Sequence, residues 1–222
     1  MAGHPQAARA AGAVGLVVVL VTAVVLLVAR PWQSAPPSDR PATAGPSLPA
    51  QASEQPATVR PRPACAAVGQ AFDPRSISVP GVTRAAAVIT PPRDADGIPG
   101  TPPLTDQGKT EFAWDRALGP RPGDHRGNVV VNAHTWPDGS ALGNRMLAHL
   151  HKGDRIVVRG GAGQRLCYRV TERFEVPAGS LVPRYYATRG KPRLAILACS
   201  GQRLGPGVWT RRTIWFASPV PA

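Results

Sequence analysis

Short runs of Val, Ile and Leu recur after residue 75, and each is bounded by Gly, Pro or Asp. Such runs are typical of β-strands. We predict strands in SISVPGV, AAAVIT, NVVVNA, DRIVVRG, RLCYRVTERFEV, RLAILAC and RRTIWFA. The fourth and fifth runs predict a hairpin, because Gly160, Gly161 and Gly163 separate them and glycine permits the positive φ of a chain reversal.

One short helix is predicted over residues 140–151. Leu142, Met146, Leu147 and Leu150 recur there at roughly helical spacing, and the polar sequence KGD follows. With seven or eight short strands and little helix, we expect an all-β fold. A closed barrel of about eight strands with one or two short helices would bury the apolar faces and leave no exposed edge.

Residues 10–29 form a run of 20 residues without a charge, flanked by Arg9 and Arg30. As a helix, this run would span about 30 Å of hydrocarbon, so we predict a transmembrane signal anchor. A cleaved signal peptide is the alternative, but its apolar region needs only about 7 to 15 residues, and no A-x-A site follows closely. The charges that flank the run do not decide its orientation in the membrane. We expect residues 1–9 to form a short cytoplasmic leader, because an N-terminus inside the cell places the large domain outside it.

Residues 30–64 are rich in Pro and Ala and contain few large apolar side chains. No core can form there, so we predict a disordered linker that acts as a tether. The remaining 158 residues, 65–222, are enough for one folded domain.

The composition narrows the class of protein. Hydrophobic residues make up 43% and charged residues 18%, which excludes a wholly disordered chain, and 26 Pro with 23 Gly exclude a helical bundle. Lys and Arg number 26 against 13 Asp and Glu, a net charge of +13. Five basic and two acidic residues lie before residue 65, so an excess of +10 remains on the domain. That excess favours anionic partners, although nucleic acid is not expected outside the membrane.

Two reactive side chains follow predicted strands. Cys199 ends the run RLAILAC, and His134 leaves the run NVVVNA into a loop. A thiol and an imidazole at two strand ends suit nucleophilic catalysis. A buried structural cysteine and a surface turn histidine are the alternatives. The other four histidines fit less well: His4, His125, His149 and His151.

A third candidate is the pair Arg211-Arg212 at the start of the last predicted strand. Side chains alternate along a strand, so only one of the two can share the face of a site. Arg212 goes with Ile214 and Phe216 on one face. A solvated pair of surface charges is the alternative.

The chain resembles the sortases, the membrane-anchored cysteine transpeptidases of Gram-positive bacteria, over most of residues 70–218. Arg212 follows Cys199 by 13 positions within GVWTRRTIWFA, which is similar to the family's closing pattern G-V-W-x-x-R-x-I-x-x-A and selects Arg212 over Arg211. The separation of 65 residues between His134 and Cys199 is also of the family's kind, as is the pattern L-x-x-L-x-x-G-D-x-I over residues 147–156.

The resemblance implies a sortase-like barrel with Cys199 as the nucleophile, His134 as the general acid and base, and Arg212 as the group that stabilises the oxyanion and positions the substrate. It implies that proteins with an LPxTG-like sorting signal are cleaved between Thr and Gly through a thioacyl-enzyme. It further implies transfer to an amine of the cell-wall precursor, at the extracellular face of the plasma membrane.

The sequence departs from the family's pattern at two places. AILAC over residues 195–199 replaces the usual T-L-x-T-C, and Ala133 stands where Gly usually precedes the histidine. These departures favour a short actinobacterial sortase group, similar to class F, and the Arg-, Ala- and Pro-rich composition of a high-GC genome agrees with this.

The other two cysteines, Cys65 and Cys167, could form a disulfide in an oxidising exterior or stay as two reduced thiols. Some sortases bind calcium through clustered carboxylates before the histidine strand. Here the carboxylates of that region are scattered, so we predict no metal and no cofactor: Asp106, Glu111, Asp115 and Asp124.

The sequence leaves two other classes of protein open. One is an L,D-transpeptidase, which needs the context S/T-H-G-C, and the sequence Ala198-Cys199-Ser200 does not supply it. The other is a membrane-anchored extracellular β-barrel binding module without catalysis, in which Cys199 and His134 are incidental. The spacing from Cys199 to Arg212 counts against that class.

Overall fold

The computed structural model describes Cys65 and residues 70–220. Within these residues the chain forms eight strands, one α-helix and three short 3₁₀ turns. In chain order the elements are β1 Ser76–Val79, β2 Thr83–Ile89, β3 Phe112–Trp114, β4 Asn128–Ala133, α1 Leu142–His149, β5 Arg155–Arg159, β6 Arg165–Pro177, β7 Arg193–Gly205 and β8 Val208–Pro219, with 3₁₀ turns at Gly108–Thr110, Arg116–Leu118 and Pro183–Tyr186.

The strands close into a barrel in the order β1-β2-β3-β4-β7-β8-β6-β5. The pairs β2–β3 and β4–β7 are parallel, and the other neighbours are antiparallel. This confirms the predicted all-β closed barrel and its short helix. The predicted hairpin is also present as β5 and β6, with Gly163 at a φ of 75° in the turn.

The barrel interior is apolar because alternate residues of each strand point inward. On β7, for example, Leu194, Ile196 and Ala198 are fully buried. The largest interior side chains come from the strands and from α1: Ile77, Phe112, Trp114, Leu142, Met146, Ile156, Tyr168, Leu194 and Trp215.

A second apolar cluster covers the outer face of β4, β7 and β8. Val130, Ala195, Ile214 and Phe216 are buried there under Tyr185 of the β6–β7 connection. Apolar side chains therefore occupy both faces of these strands, and every residue of β4 is buried. These central strands are therefore covered by apolar side chains on both faces.

Two sequence expectations about strand ends are wrong. Strand β7 does not end at Cys199 but continues to Gly205, and β8 begins at Val208, before Arg212. The apolar pattern stops at Cys199 because β7 and β8 extend beyond the barrel core as an exposed hairpin. Strand β3 was not predicted, since its three residues are too few for a periodic pattern.

Cys65 and Cys167 are joined by a disulfide, with their Cα atoms 5.5 Å apart. Cys167 lies on β6 and packs beside Val157 of β5. The guanidinium of Arg155 contacts both sulfur atoms. The bond ties the first described residue of the chain to the middle of the barrel wall.

No helix of the described residues is long and apolar enough to cross a membrane. The predicted leader at 1–9, the transmembrane anchor at 10–29 and the linker at 30–64 lie outside the residues that the structure describes.

Candidate active site

Three adjacent strands carry the three side chains that the sequence singled out. Ala133 of β4 lies beside Ala198 of the parallel strand β7. Because the two strands run in the same direction, the residues that follow this pair, His134 and Cys199, lie at the same height along the strands. Across the antiparallel pair β7–β8, Cys199 lies opposite Arg212. Residues distant in sequence thus meet because their strands are neighbours in the barrel.

Cys199, His134 and Arg212 line one cavity of about 760 Å³. Leu197 and Ile214, which belong to the outer apolar cluster, line it too. The cavity therefore lies on the outer face of the barrel wall and not in its interior.

Besides the β4–α1 connection that carries His134, three connections form the walls of this cavity. They are the β2–β3 connection, the β6–β7 connection and the β7–β8 hairpin, which contribute side chains such as Leu104, Tyr186 and Trp209. No carboxylate of the described residues lines the cavity, whereas Arg203 and Arg212 do. The cavity lining is thus largely apolar and carries positive charge.

Cys199 is the only free cysteine among the described residues, and it is half-buried. Burial raises the pKa of its thiol above the ordinary value, because desolvation disfavours the thiolate, and the nearby charge of Arg212 acts in the opposite direction. The hydroxyl of Thr135 donates a hydrogen bond of 2.6 Å to the Cys199 carbonyl oxygen. Because the neutral thiol is favoured, this site needs a base or a positive charge to form the thiolate.

His134 contacts the β2–β3 connection as well as the strand that carries it. Its Nε2 lies 2.5 Å from the carbonyl oxygen of Pro102. The ring of Trp136 packs edge-on against the imidazole, with centroids 5.9 Å apart, and the ammonium of Lys109 lies over the Trp136 ring. The imidazole is therefore held on two sides.

Arg212 donates hydrogen bonds to two backbone carbonyl oxygens, that of Arg211 at 3.0 Å and that of Trp209 at 3.4 Å. Among the described residues no carboxylate forms an ion pair with Arg212. Arg211 instead approaches Glu175 at 4.0 Å and does not line the cavity. The guanidinium of Arg212 thus keeps N–H groups that can meet an anionic atom of a substrate.

Sequence reasoning did not find Thr135, Asn132 or Pro102 as parts of this site. Thr135 directly follows His134, but a lone threonine carries no specific signal. Pro102 contributes only its carbonyl oxygen, and no sequence pattern identifies a backbone atom that approaches from another connection.

The carboxylates before the histidine strand have protein partners. Asp115 is buried and pairs with Arg93 at 2.5 Å, while Asp106 pairs with Lys109. The described residues contain no group of three or more side chains able to hold a metal ion. That the protein needs no metal and no cofactor stays a prediction.

A β-barrel that presents a free thiol, an imidazole and a guanidinium in one cavity has the groups that a cysteine acyltransferase needs. The family model described as Sortase domain matches residues 77–220. The chain therefore belongs to the sortase family and is a cysteine transpeptidase, as the sequence resemblance implied.

Solved structures of sortases match the chain at low sequence identity. Sortase C1 from Streptococcus suis matches with a TM-score of 0.50 and 14% identity, over 68% of this chain and 74% of that one. Sortase A from Listeria monocytogenes matches at 0.47 and 18%, over 68% and 88%. Sortase C-1 from Actinomyces oris matches at 0.47 and 17%, over 66% and 71%. No curated protein matches the chain.

Family membership decides between the classes that the sequence left open. The chain is neither an L,D-transpeptidase nor a binding module without catalysis, because the matched domain is that of an enzyme of a different family. The assignment to a class F-like actinobacterial group stays a prediction.

Proposed function

We propose that this sortase cleaves an LPxTG-like sorting signal between Thr and Gly and transfers the acyl group to an amine of the cell-wall precursor. The observation that carries the proposal is the single cavity that Cys199, His134 and Arg212 line together. Proteins that bear the sorting signal and the precursor amine are the partners in this reaction.

In the first half of the reaction, the Cys199 thiolate attacks the carbonyl carbon of the Thr–Gly bond and forms a tetrahedral oxyanion. Collapse of this intermediate breaks the C–N bond, and the imidazolium of His134 gives its proton to the leaving Gly amine. A thioester between Cys199 and the Thr carbonyl remains.

In the second half, the neutral imidazole of His134 accepts a proton from the incoming amine as that amine attacks the thioester. The C–S bond breaks, the thiolate of Cys199 is released, and an amide joins the two partners. The same imidazole therefore serves as acid and then as base, and the protons balance over one cycle.

Arg212 stabilises the oxyanion in both halves of the reaction. A guanidinium carries a positive charge, and that of Arg212 is half-buried, so water screens the charge less than on an open surface. A lysine would keep the charge but lose the planar fork that can bond the oxyanion and a backbone carbonyl at once.

The apolar part of the cavity lining suits the Leu-Pro part of the signal. Val176, Val182, Leu197 and Ile214 line it. Ala195 and Ala198, which replace two threonines of the family's usual pattern, are fully buried and do not line the cavity. We therefore expect the missing hydroxyls to have little effect on substrate binding.

For the whole chain we propose a leader at 1–9, a signal anchor at 10–29, a linker at 30–64 and a catalytic domain at 65–222, with the domain outside the plasma membrane. The uncharged run of 20 residues supports this arrangement. Fractionation followed by protease treatment of intact cells tests it. Recovery of the chain in the soluble fraction, or protection of the domain from protease, would contradict it.

The reaction is tested with the full-length chain in detergent micelles and a panel of LPxTG and LAxTG peptides, with and without an added amine. We expect a covalent adduct on Cys199 whose mass equals the peptide up to Thr, and a transpeptidation product when amine is present. The Cys199→Ala variant should form neither. Failure to cleave any peptide of the panel would reject the proposed substrate class.

A further inference from the structure

The β2–β3 connection lies against the histidine strand at two points. The side-chain amide of Asn132 donates a hydrogen bond of 2.9 Å to the carbonyl oxygen of Gly100. Two residues further along both segments, Nε2 of His134 lies 2.5 Å from the carbonyl oxygen of Pro102. The two contacts hold the segment 100–102 beside the end of β4.

This segment cannot join the sheet as a normal strand. Pro99, Pro102 and Pro103 have no backbone N–H, so they cannot donate to a ladder. The side chains of Asn132 and His134 supply the hydrogen bonds that a backbone pairing would otherwise make. Asn132 is nine-tenths buried, so losing its bond would leave the Gly100 carbonyl and the segment without this anchor.

The contact with Pro102 has a consequence for the proton on His134. A carbonyl oxygen only accepts hydrogen bonds, so Nε2 must carry a hydrogen whether the imidazole is neutral or charged. Nδ1 is then the nitrogen that gains and loses the proton. Without this acceptor, a neutral imidazole can carry its hydrogen on either nitrogen and can turn about its side-chain bonds.

We propose that Asn132 is a positioning residue of the reaction. It anchors the segment 100–102, the Pro102 carbonyl then holds the His134 hydrogen on Nε2, and Nδ1 exchanges protons with the leaving and incoming amines. The expected effect on kcat rests on the proposed function. The tautomer of the His134 imidazole does not depend on which substrate the enzyme takes.

Asn128 offers a matched control on the same strand. It is also buried, and its side-chain amide donates to the carbonyl oxygens of Arg184 and Tyr185 at 2.7 and 3.1 Å. It therefore anchors the β6–β7 connection, which forms a different wall of the cavity. Comparing variants of the two asparagines therefore distinguishes the effect of loosening a cavity wall from the effect of losing the orientation of His134.

The test uses ¹⁵N NMR of the full-length chain in micelles, labelled at its histidines, with His134→Gln to assign the signal. We expect the wild type to show only the Nε2–H tautomer of neutral His134. Asn132→Ala and Asn132→Asp should show a mixture of tautomers, because neither side chain can donate to Gly100. Asn128→Ala should keep the Nε2–H tautomer.

Kinetics give the second readout. Loss of ring orientation should lower kcat of the Asn132 variants by about 10- to 100-fold, since misplacement by about 1 Å can cost that much. KM should rise as well, because Asn132 and the β2–β3 connection line the cavity, so the fall in kcat is the readout that distinguishes these variants from Asn128→Ala. Asn128→Ala should mainly raise KM, because it loosens the wall that carries Tyr185.

A wild-type His134 protonated on Nδ1, or Asn132 variants that keep one tautomer and the wild-type kcat, would overturn the proposal. A wild-type spectrum with the hydrogen on Nδ1 overturns the proposal even if the variants do not fold. If the tautomer changes as expected but no LPxTG peptide is cleaved, the positioning role stands and the proposed substrate is wrong.

Discussion

Arg212 lies directly opposite Cys199 across the β7–β8 ladder, with the register unbroken from Leu194 to Ser200. Opposed residues of an antiparallel pair have Cα atoms about 4.5 to 5.5 Å apart, so the backbone itself keeps the guanidinium beside the thiol. The register shifts only past Ser200, in the exposed hairpin. The charge at this site therefore depends on strand pairing and not on a mobile loop.

Replacement of Arg212 by Ala should lower kcat by about 10² to 10³, because the oxyanion loses a fixed donor. Arg212→Lys should recover only part of this loss, since the ammonium lacks the planar fork. Peptide cleavage followed by chromatography measures the effect. Arg211→Ala is the matched control and should stay within about twofold of the wild type, because Arg211 lies outside the cavity. Equal losses in the two alanine variants would reject the assigned role.

The pH dependence of Cys199 alkylation should show the effect of its burial. Desolvation favours the neutral thiol and raises its pKa, so alkylation by iodoacetamide should be slow at neutral pH and reach half its maximum above the ordinary thiol range. Arg212 lowers this pKa, so Arg212→Ala should move the midpoint further toward alkaline pH. Intact mass spectrometry at fixed times measures the rates. A midpoint that moves toward acid in this variant would contradict the prediction.

Gly143 of α1 packs directly behind His134. A Cβ at this position would lie 2.5 Å from the His134 carbonyl oxygen and 2.5 Å from the Thr135 hydroxyl. The backbone N–H of Gly143 also donates to that carbonyl at 2.8 Å. Although Ala favours a helix by about 1 kcal/mol over Gly, this clash with backbone cannot be relieved by a rotamer change, and we expect Gly143→Ala to cost about 1 to 3 kcal/mol.

The same substitution should lower activity through displacement of His134, which thermal unfolding and peptide cleavage measure together. Gly161→Ala provides the control, since a methyl group at that position would meet no heavy atom within 4 Å and its φ lies outside the left-handed region. A Gly143→Ala variant with wild-type stability and activity would show that the helix can move away freely.

The Cys65–Cys167 disulfide should contribute to stability outside a reducing compartment. It closes a loop of 102 residues, so the Cys65→Ala/Cys167→Ala double variant should lose about 2 to 5 kcal/mol of unfolding free energy. Alkylation without reductant should label one thiol, and alkylation after reduction and unfolding should label three. Labelling of three thiols in protein kept oxidised would show that the bond does not form.

Strand periodicity predicts most of the barrel in advance, because alternating burial leaves a direct pattern of Val, Ile and Leu. Periodicity does not predict β3, because a strand of three buried residues is too short to show an alternating pattern. It also misses the end of β7, because the exposed residues beyond Cys199 have no apolar pattern. The choice of Arg212 over Arg211 needed the family pattern as well, since alternation separates their faces without saying which face bears the cavity.

Local chemistry, spacing along the chain and the family's pattern were sufficient for predicting the all-β class, the short helix, the family and the three side chains of the candidate site. The placement of that site outside the barrel, the pairing of Cys199 with Arg212 and the contacts of Asn132 and His134 with the β2–β3 connection were decided only on folding. These three features depend on which strands become neighbours and on the positions of backbone carbonyl oxygens. Neither strand order nor the position of a carbonyl oxygen can be read from the residue types.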